Sequence, residues 1–256
     1  MNFKSNIDIK EIENLVWAFR HIRTQSFVDP DRIGIGGFCV GASFALIAAS
    51  DPRIARDIAF VNAFGPYYDA RHLLFQISSR LMYSPNGTES WEPDEMTWKV
   101  FVNEIIESLN NDEDRQTLTK VFGEKRQISY FEPSGLSTEG QSAFRLLSGV
   151  GSIEEAEMLL DGLPEVFQEM LLAISPSTYI SGLSAPVFIL HDHGDELVPP
   201  MESRRLVEHL NRLEVETRYT ELLTFDHVRP SNRGRFVDYI TENYKLFRHM
   251  YRILRV

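Results

Sequence analysis

A cysteine lies between two glycines in the pentapeptide Gly37-Phe38-Cys39-Val40-Gly41, and it is the only cysteine among 256 residues. Residues 32–36 predict a short buried strand before it, and residues 42–50 have helical composition. A nucleophile on a tight strand-to-helix turn needs small neighbours two positions away on either side. At a helix N-terminus, free N–H groups and the helix dipole favour a thiolate. Cys39 is therefore a candidate nucleophile, and the N–H of Val40 is a candidate oxyanion donor.

The same turn has two other interpretations. A free cysteine is often an inert core residue, and a glycine-rich strand-to-helix turn does not need a catalytic role. The glycines also invite a dinucleotide-binding interpretation, but a G-x-G-x-x-G pattern that begins at Gly34 puts Cys39 at its third glycine. No acid ends a strand about 20 residues later, so the spacing disfavours a dinucleotide site.

Imidazole and carboxylate side chains follow a second apolar run, in His191-Asp192-His193-Gly194-Asp195-Glu196. Such residue types can hold a metal ion, but alternate residues of a strand point to opposite faces, so few of these would converge. A polar loop after a strand is the simpler alternative. Aromatic residues could line an apolar pocket, although core packing is their more common role; these are Phe44, Tyr67, Tyr68, Trp91, Trp98 and Phe101.

The elements that would position these groups alternate along the chain. Apolar patterns predict strands at residues 32–36, 57–62, 185–190 and 215–220. They predict helices at residues 8–24, 42–50, 200–212 and 233–254. In the last helix, the predicted inner face carries Phe236, Ile240, Tyr244, Phe247 and Tyr251. Strands alternating with helices predict an α/β fold, with a parallel sheet flanked by helices. Residues 1–84 and 175–256 would form this core, and residues 85–174 a helical cap insertion.

Composition narrows the function further. Lys and Arg number 26 against 37 Asp and Glu, which gives a net charge of −11. Nucleic acids and anionic membranes need a basic face, so we expect neither as a partner. No apolar run approaches about 18 residues, and the charged N-terminus lacks the apolar stretch of a signal peptide. A single cysteine cannot form an internal disulfide, which indicates a reducing compartment. We therefore expect a cytoplasmic protein.

The chain resembles the α/β-hydrolase superfamily at the GFCVG turn, which looks like the cysteine elbow of dienelactone hydrolases. The helix and Asp29-Pro-Asp-Arg-Ile-Gly-Ile segment before it are similar to those of prolyl-oligopeptidase-like members. The resemblance implies a triad. Asp195, shortly before Val198-Pro199, takes the position of the acid, with Asp192 and then Glu196 as weaker choices. His227, after the last predicted strand, takes the position of the base.

The resemblance implies a hydrolase that cleaves an ester, lactone or thioester bond of a small molecule through an acyl-Cys39 intermediate, with no metal and no cofactor. The alternative is a non-catalytic binding protein on a degenerate hydrolase body. Members of the superfamily have several strands before the elbow strand, whereas one helix precedes it here. We therefore expect an N-terminally incomplete fold in which the elbow strand is an open sheet edge. A late start site, a fragment, a second copy or a partner chain would each account for that edge.

Overall fold

The computed structural model describes residues 7–84, 87–123, 132–223, 225–226, 229–230 and 236–256, with backbone alone for 225–226, 229–230 and 236–239. The strands are β1 Ile35–Phe38, β2 Val61–Phe64, β3 Leu81–Ser84, β4 Gly87–Ser90, β5 Val187–Asp192, β6 Thr217–Leu222, β7 Phe225–Asp226 and β8 Arg229–Pro230. The helices are α1 Lys10–Arg23, α2 Val40–Ala49, α3 Ala70–Ser79, α4 Glu95–Ser108, α5 Asp112–Leu118, α6 Thr138–Ser148, α7 Ile153–Asp161, α8 Glu165–Ala173, α9 Pro176–Tyr179, α10 Pro200–Arg212 and α11 Phe236–Ile253.

The main sheet has four parallel strands in the order β1-β2-β5-β6. Its register aligns Phe38, Phe64, Leu190 and Thr220 across the four strands, so their C-terminal ends form one edge line. Helices connect the parallel strands, as crossover connections require. The parallel sheet flanked by helices confirms the predicted α/β fold. In the part of the chain that the structure describes, β1 lies at one sheet edge.

The sheet packs unequally on its two faces. On one face, Val61, Ala63, Val187 and Ile189 lie in a large apolar cluster with α1, α2 and α10. Helix α2 is buried along residues 42–49, because its side chains are apolar or small all round. On the other face the cluster is small and contains Phe64, Leu190 and Leu222, with Leu246 of α11 packed against it. Most of the buried apolar residues around this sheet therefore lie on the face covered by α1, α2 and α10.

The strands begin two to four residues later than the sequence pattern predicts, and β1 contains Gly36 together with Gly37, the first glycine of the predicted turn. Gly36 stands beside the carbonyl of Asn62: a Cβ at Gly36 would lie 2.8 Å from that oxygen. Gly37 pairs with Ala63 in the same ladder. Close approach of the two backbones, rather than turn formation alone, is the reason for glycine at position 36.

A second compact unit contains Arg71–Ala173 with the N-terminal residues through Asp8, and the first contains the remainder. It includes α3, the antiparallel hairpin β3–β4 and helices α4 to α8. Its boundary falls at Arg71, whereas the sequence pattern placed residues 71–84 in the core. Helices α4 and α7 begin at side-chain caps: Asp94 accepts the N–H groups of Met96 and Thr97, and Ser152 accepts that of Glu155.

The chain leaves the core unit after Ala70 and re-enters it at Ile174, and the adjoining segments Tyr68–Ala70 and Ser175–Ser177 form the crossing point. The N–H of Ala70 donates to Ser175 Oγ at 2.8 Å. The N–H of Ser177 donates to the Tyr68 carbonyl at 2.9 Å, and its hydroxyl donates to Asp69 Oδ2 at 2.8 Å. The outgoing and returning segments of the chain thus lie side by side and are joined by hydrogen bonds.

A buried carboxylate anchors the crossing point to α10. Glu202 has no solvent exposure, and its Oε2 accepts the N–H groups of Tyr68 at 3.0 Å and Asp69 at 2.9 Å. Its other oxygen lies 3.2 Å from Arg205 Nη1. A buried carboxylate needs such donors, since an uncompensated charge is costly away from water.

Helix α11 turns a different face inward from the one predicted. Ile240, Tyr244, Phe247 and Tyr251 are 54%, 61%, 64% and 48% exposed, so the predicted inner face is wrong for these residues. The inner face instead buries residues such as Glu242 and His249. Polar contacts, described below, hold this face to the sheet. No helix in the described ranges has the length and apolar character needed to cross a bilayer.

Candidate active site

The elbow is a sharp, strained turn between β1 and α2. Cys39 has φ 53° and ψ −127°, a left-handed backbone that a residue with a side chain seldom adopts. Its N–H donates to the Phe64 carbonyl at 2.8 Å, which ties the turn to the neighbouring strand. Its carbonyl accepts the N–H of Ala42 at 2.9 Å, which starts the helix. Half-buried Cys39 therefore sits at the end of β1 and at the N-cap of α2.

The two glycines of the elbow have different reasons to be glycine. A Cβ at Gly37 would lie 2.3 Å from the carbonyl oxygen of Gly41, which no packing adjustment of side chains relieves. A Cβ at Gly41 would meet nothing within 4 Å. The turn therefore requires a small residue at 37, whereas the prediction that it also requires one at 41 is wrong.

The start of α2 offers an N–H to a ligand. Val40 is the first residue of α2, so its N–H has no carbonyl one turn earlier in the helix. The dipole of α2 adds partial positive charge at this point. Tyr67 lies nearby and is fully buried, with its hydroxyl donating to the Ile174 carbonyl at 3.0 Å. Burial, and then the charges of Cys39 and Glu202, raise the pKa of Tyr67 above its usual range.

Asp195 lies in the loop after β5, two strands away from β1. It is 1% exposed. Its Oδ1 accepts the N–H groups of Leu197 at 2.8 Å and Val198 at 3.0 Å, which stabilise the charged form. Two strand spacings, about 10 Å, separate β1 from β5. That span suits one imidazole between a thiol at the end of β1 and a carboxylate after β5.

The neighbours of Asp195 separate into distinct roles. Glu196 is exposed, so the loop does not direct it into the protein. Asp192 is 1% exposed and ends β5, with its Oδ1 accepting the Gly194 N–H at 3.4 Å. His193 is exposed and contacts Glu221 Oε1 at 2.6 Å. Because Asp195 combines burial, a loop position and two backbone donors, the geometry favours it over its neighbours as the acid.

His191 is fully buried beside Asp195. Its Nε2 lies 3.0 Å from the Val198 carbonyl and 3.5 Å from Asp195 Oδ2, and its Nδ1 lies 2.6 Å from Ser203 Oγ. The sequence offers His191 only as a candidate metal ligand. Its spacing of four residues from Asp195 was the available signal, since a strand end followed by a turn can bring such residues together.

The predicted base, His227, lies outside the described residues. The last strand of the main sheet, β6, ends at Leu222, and the N–H of His193 donates to the Leu222 carbonyl at 2.8 Å. The roles of Cys39, Val40, Asp195 and His227 thus stay predictions. In the described ranges, no three His, Cys, Asp or Glu side chains are placed to share a metal ion. The aromatic residues weighed as pocket lining are buried, except half-buried Trp98.

Comparison with known proteins agrees with the fold. The family model BD-FAE, an esterase-like family of α/β hydrolases, matches residues 108–210. Over 53 residues the chain is 40% identical to a Bradyrhizobium sp protein named "Probable 2-oxo-3-(5-oxofuran-2-ylidene)propanoate lactonase". That match covers 21% of this chain and 21% of the relative. The chain is thus similar to esterase- and lactonase-like hydrolases over part of its length.

Two solved structures are similar to the chain along most of its length. The Pyrococcus horikoshii acylaminoacyl peptidase gives a TM-score of 0.48 at 15% identity, and the match covers 96% of this chain and 27% of the peptidase. A truncated carbohydrate esterase from gut microbiota gives 0.47 at 12% identity, covering 93% of this chain and 68% of the esterase. The chain therefore spans about a quarter of the length of that peptidase.

Proposed function

We propose that the protein hydrolyses an ester, lactone or thioester bond of a small molecule through an acyl-Cys39 intermediate. The observation that carries the proposal is the left-handed backbone of Cys39 between β1 and α2. A strained residue at a strand-to-helix junction persists only where the surrounding structure holds it, and such residues cluster at active sites. The esterase-like family match and the lactonase relative support a carboxylic acid derivative as substrate.

The proposed reaction has two steps. His227 accepts the Cys39 proton, and the thiolate sulfur attacks the carbonyl carbon of the substrate. The N–H of Val40 stabilises the oxyanion, and the C–O or C–S bond breaks as His227 returns the proton to the leaving group. His227 then deprotonates a water molecule, which attacks the thioester and releases the acid and the Cys39 thiolate. Asp195 orients the imidazole throughout.

The first test is hydrolysis of short-chain p-nitrophenyl esters and a five-membered lactone by the wild type and Cys39→Ala. We expect kcat/KM to fall by a factor of about 10³ or more in the variant, because the covalent step is lost. Mass spectrometry of quenched wild type should show one added acyl group on Cys39. Full turnover in Cys39→Ala would contradict the proposal.

The assignment of the acid has a matched control in the same loop. Asp195→Asn should lower kcat by roughly 10³ to 10⁴, because the amide cannot hold the imidazole in the required tautomer. Glu196→Gln removes a neighbouring charge that is exposed, and it should leave kcat within about twofold. Equal losses in the two variants would assign the effect to loop charge and not to Asp195.

The predictions about the cellular compartment, the hydrolase branch, the cap and the partner at the β1 edge are part of the same proposal. A reducing compartment such as the cytoplasm suits a catalytic thiol, since oxidation would block it. Membership of the chain in the dienelactone-hydrolase branch would restrict its substrates to small unsaturated lactones. The cap role of residues 85–174 and a partner at the β1 edge stay predictions.

A further inference from the structure

We propose that His191 is a positioning residue that fixes the plane of the Asp195 carboxylate; the inference rests on the proposed function of Asp195 as the triad acid. The contact joins His191 Nε2 and Asp195 Oδ2 at 3.5 Å. Both side chains have no solvent exposure. His191 would act on the reaction only through Asp195.

The direction of the His191 ring follows from its hydrogen bonds. The Val198 carbonyl, 3.0 Å from Nε2, can only accept, so Nε2 carries a proton. The same N–H approaches Asp195 Oδ2. At 3.5 Å it acts as an oriented dipole on the charge more than as a full hydrogen bond. In a buried site such a dipole is weakly screened.

Ser203 holds the other nitrogen of the ring. Its Oγ lies 2.6 Å from His191 Nδ1, and Ser203 is also fully buried. With the proton on Nε2, the hydroxyl can donate to Nδ1. Ser203 belongs to α10. A rigid helix thus holds the imidazole, and the imidazole faces the carboxylate.

The two oxygens of Asp195 are held separately. Leu197 and Val198 donate their N–H groups to Oδ1, and His191 faces Oδ2. The terminal torsion of an aspartate is broad, so contacts to both oxygens restrict rotation of the carboxylate more than contacts to one of them. A triad acid needs this restriction, because it must aim at one imidazole N–H.

The test compares His191→Met with His191→Gln. The glutamine amide can place an N–H near the position of Nε2, whereas methionine of similar length has no donor. We expect His191→Met to lower kcat for a p-nitrophenyl ester roughly 10- to 100-fold, with KM within about twofold. His191→Gln should recover most of the loss. Rates are expressed per mole of folded protein, with the folded fraction measured by circular dichroism.

His249 provides the matched control, because it is another buried histidine, held by Asn62 and Thr220 on the opposite face of the sheet. His249→Met should leave kcat per active site within about twofold. If His191→Met does not fold, Ser203→Ala replaces it. That variant removes the hydrogen bond that ties His191 Nδ1 to α10, so the ring can move away from Asp195 and kcat should again fall with KM unchanged.

Wild-type kcat in folded His191→Met, or in Ser203→Ala where it replaces that variant, would overturn the inference. So would a glutamine variant no more active than the methionine variant, since the donor would then be irrelevant. A failure of the proposed function is recognised separately: it would show as full turnover in Cys39→Ala or in Asp195→Asn.

Discussion

Cys39 combines a strained backbone with a side chain that is only half-buried. Its left-handed backbone costs of order 1–3 kcal/mol, which the hydrogen bonds of its N–H and carbonyl must offset. The sequence was sufficient to predict this turn, because its requirements are local: a strand, a small residue and a helix start. It was not sufficient to distinguish Gly37 from Gly41, since only three-dimensional proximity shows that one Cβ meets a backbone and the other does not.

That difference predicts the behaviour of two otherwise matched substitutions. Gly37→Ala should destabilise the protein by about 1–3 kcal/mol, because its Cβ would overlap the Gly41 carbonyl. Gly41→Ala should be neutral or slightly stabilising, since the site is open and alanine favours the helix. Urea unfolding monitored by circular dichroism measures both. Equal stabilities would show that the elbow adjusts without cost.

The prediction of Asp195 as the acid rests on resemblance to a family, and the contact between His191 and Ser203 could not be predicted from the sequence. They are 12 residues apart and meet only when α10 packs beside β5. A linear pattern records which residues share a face of one element. It does not record which side chains of two elements meet.

Helix α11 shows that the sequence pattern also fails to predict which face of a whole helix is buried. Its apolar spacing correctly predicts a helix, yet the buried face is fixed by polar groups. Glu242 accepts the Leu223 N–H at 2.7 Å. His249 lies 3.0 Å from Asn62 Oδ1 and 3.2 Å from Thr220 Oγ1. Hydrophobic periodicity cannot anticipate such partners, because they come from strands distant in sequence.

The buried His249 makes the stability of the protein depend on pH. Burial, and then Arg252, lower the pKa of His249 from 6.5 to about 4. The unfolded chain therefore binds a proton that the folded chain excludes, and stability falls as the pH drops from 6.5 to 4. The loss approaches about 3 kcal/mol over that window. It is absent above pH 6.5, where both states are neutral.

The prediction is tested with His249→Gln, which has no ionisable group at this position. Urea midpoints at pH 7.5 and pH 4.5 should differ less for the variant than for the wild type. All other carboxylates and histidines titrate alike in both proteins, so the difference between them isolates His249. An identical pH dependence would contradict the lowered pKa.

At the scale of the molecule, the exposed aromatic residues of α11 and the edge strand β1 indicate association with other polypeptides. Phe247 and Tyr251 stack with ring centroids 6.0 Å apart while largely exposed. Phe38, at the end of β1, is 64% exposed. Exposed apolar patches and unpaired strand edges both favour association. We therefore expect the chain to self-associate as its concentration rises.

Sedimentation velocity across a range of concentrations tests this expectation. Phe247→Glu should reduce association, because it places a charge in the aromatic stripe. Val166→Glu is the control: Val166 is 75% exposed and lies in α8, a different helix. A monomer at every concentration in the wild type would contradict the expectation, as would equal effects of the two substitutions.

The crossing point has a consequence for how such a chain can be remodelled. Ala70 and Ser175, separated by more than a hundred residues, are bonded at 2.8 Å, so a few residues of linker would suffice to join them. Removing or exchanging everything between them would leave each core strand with its present neighbours, since no strand of the main sheet lies in that stretch. Glu202 would still hold the junction in place from α10. The core unit can thus act as an acceptor scaffold in which the residues between Ala70 and Ser175 are replaced by a different helical module.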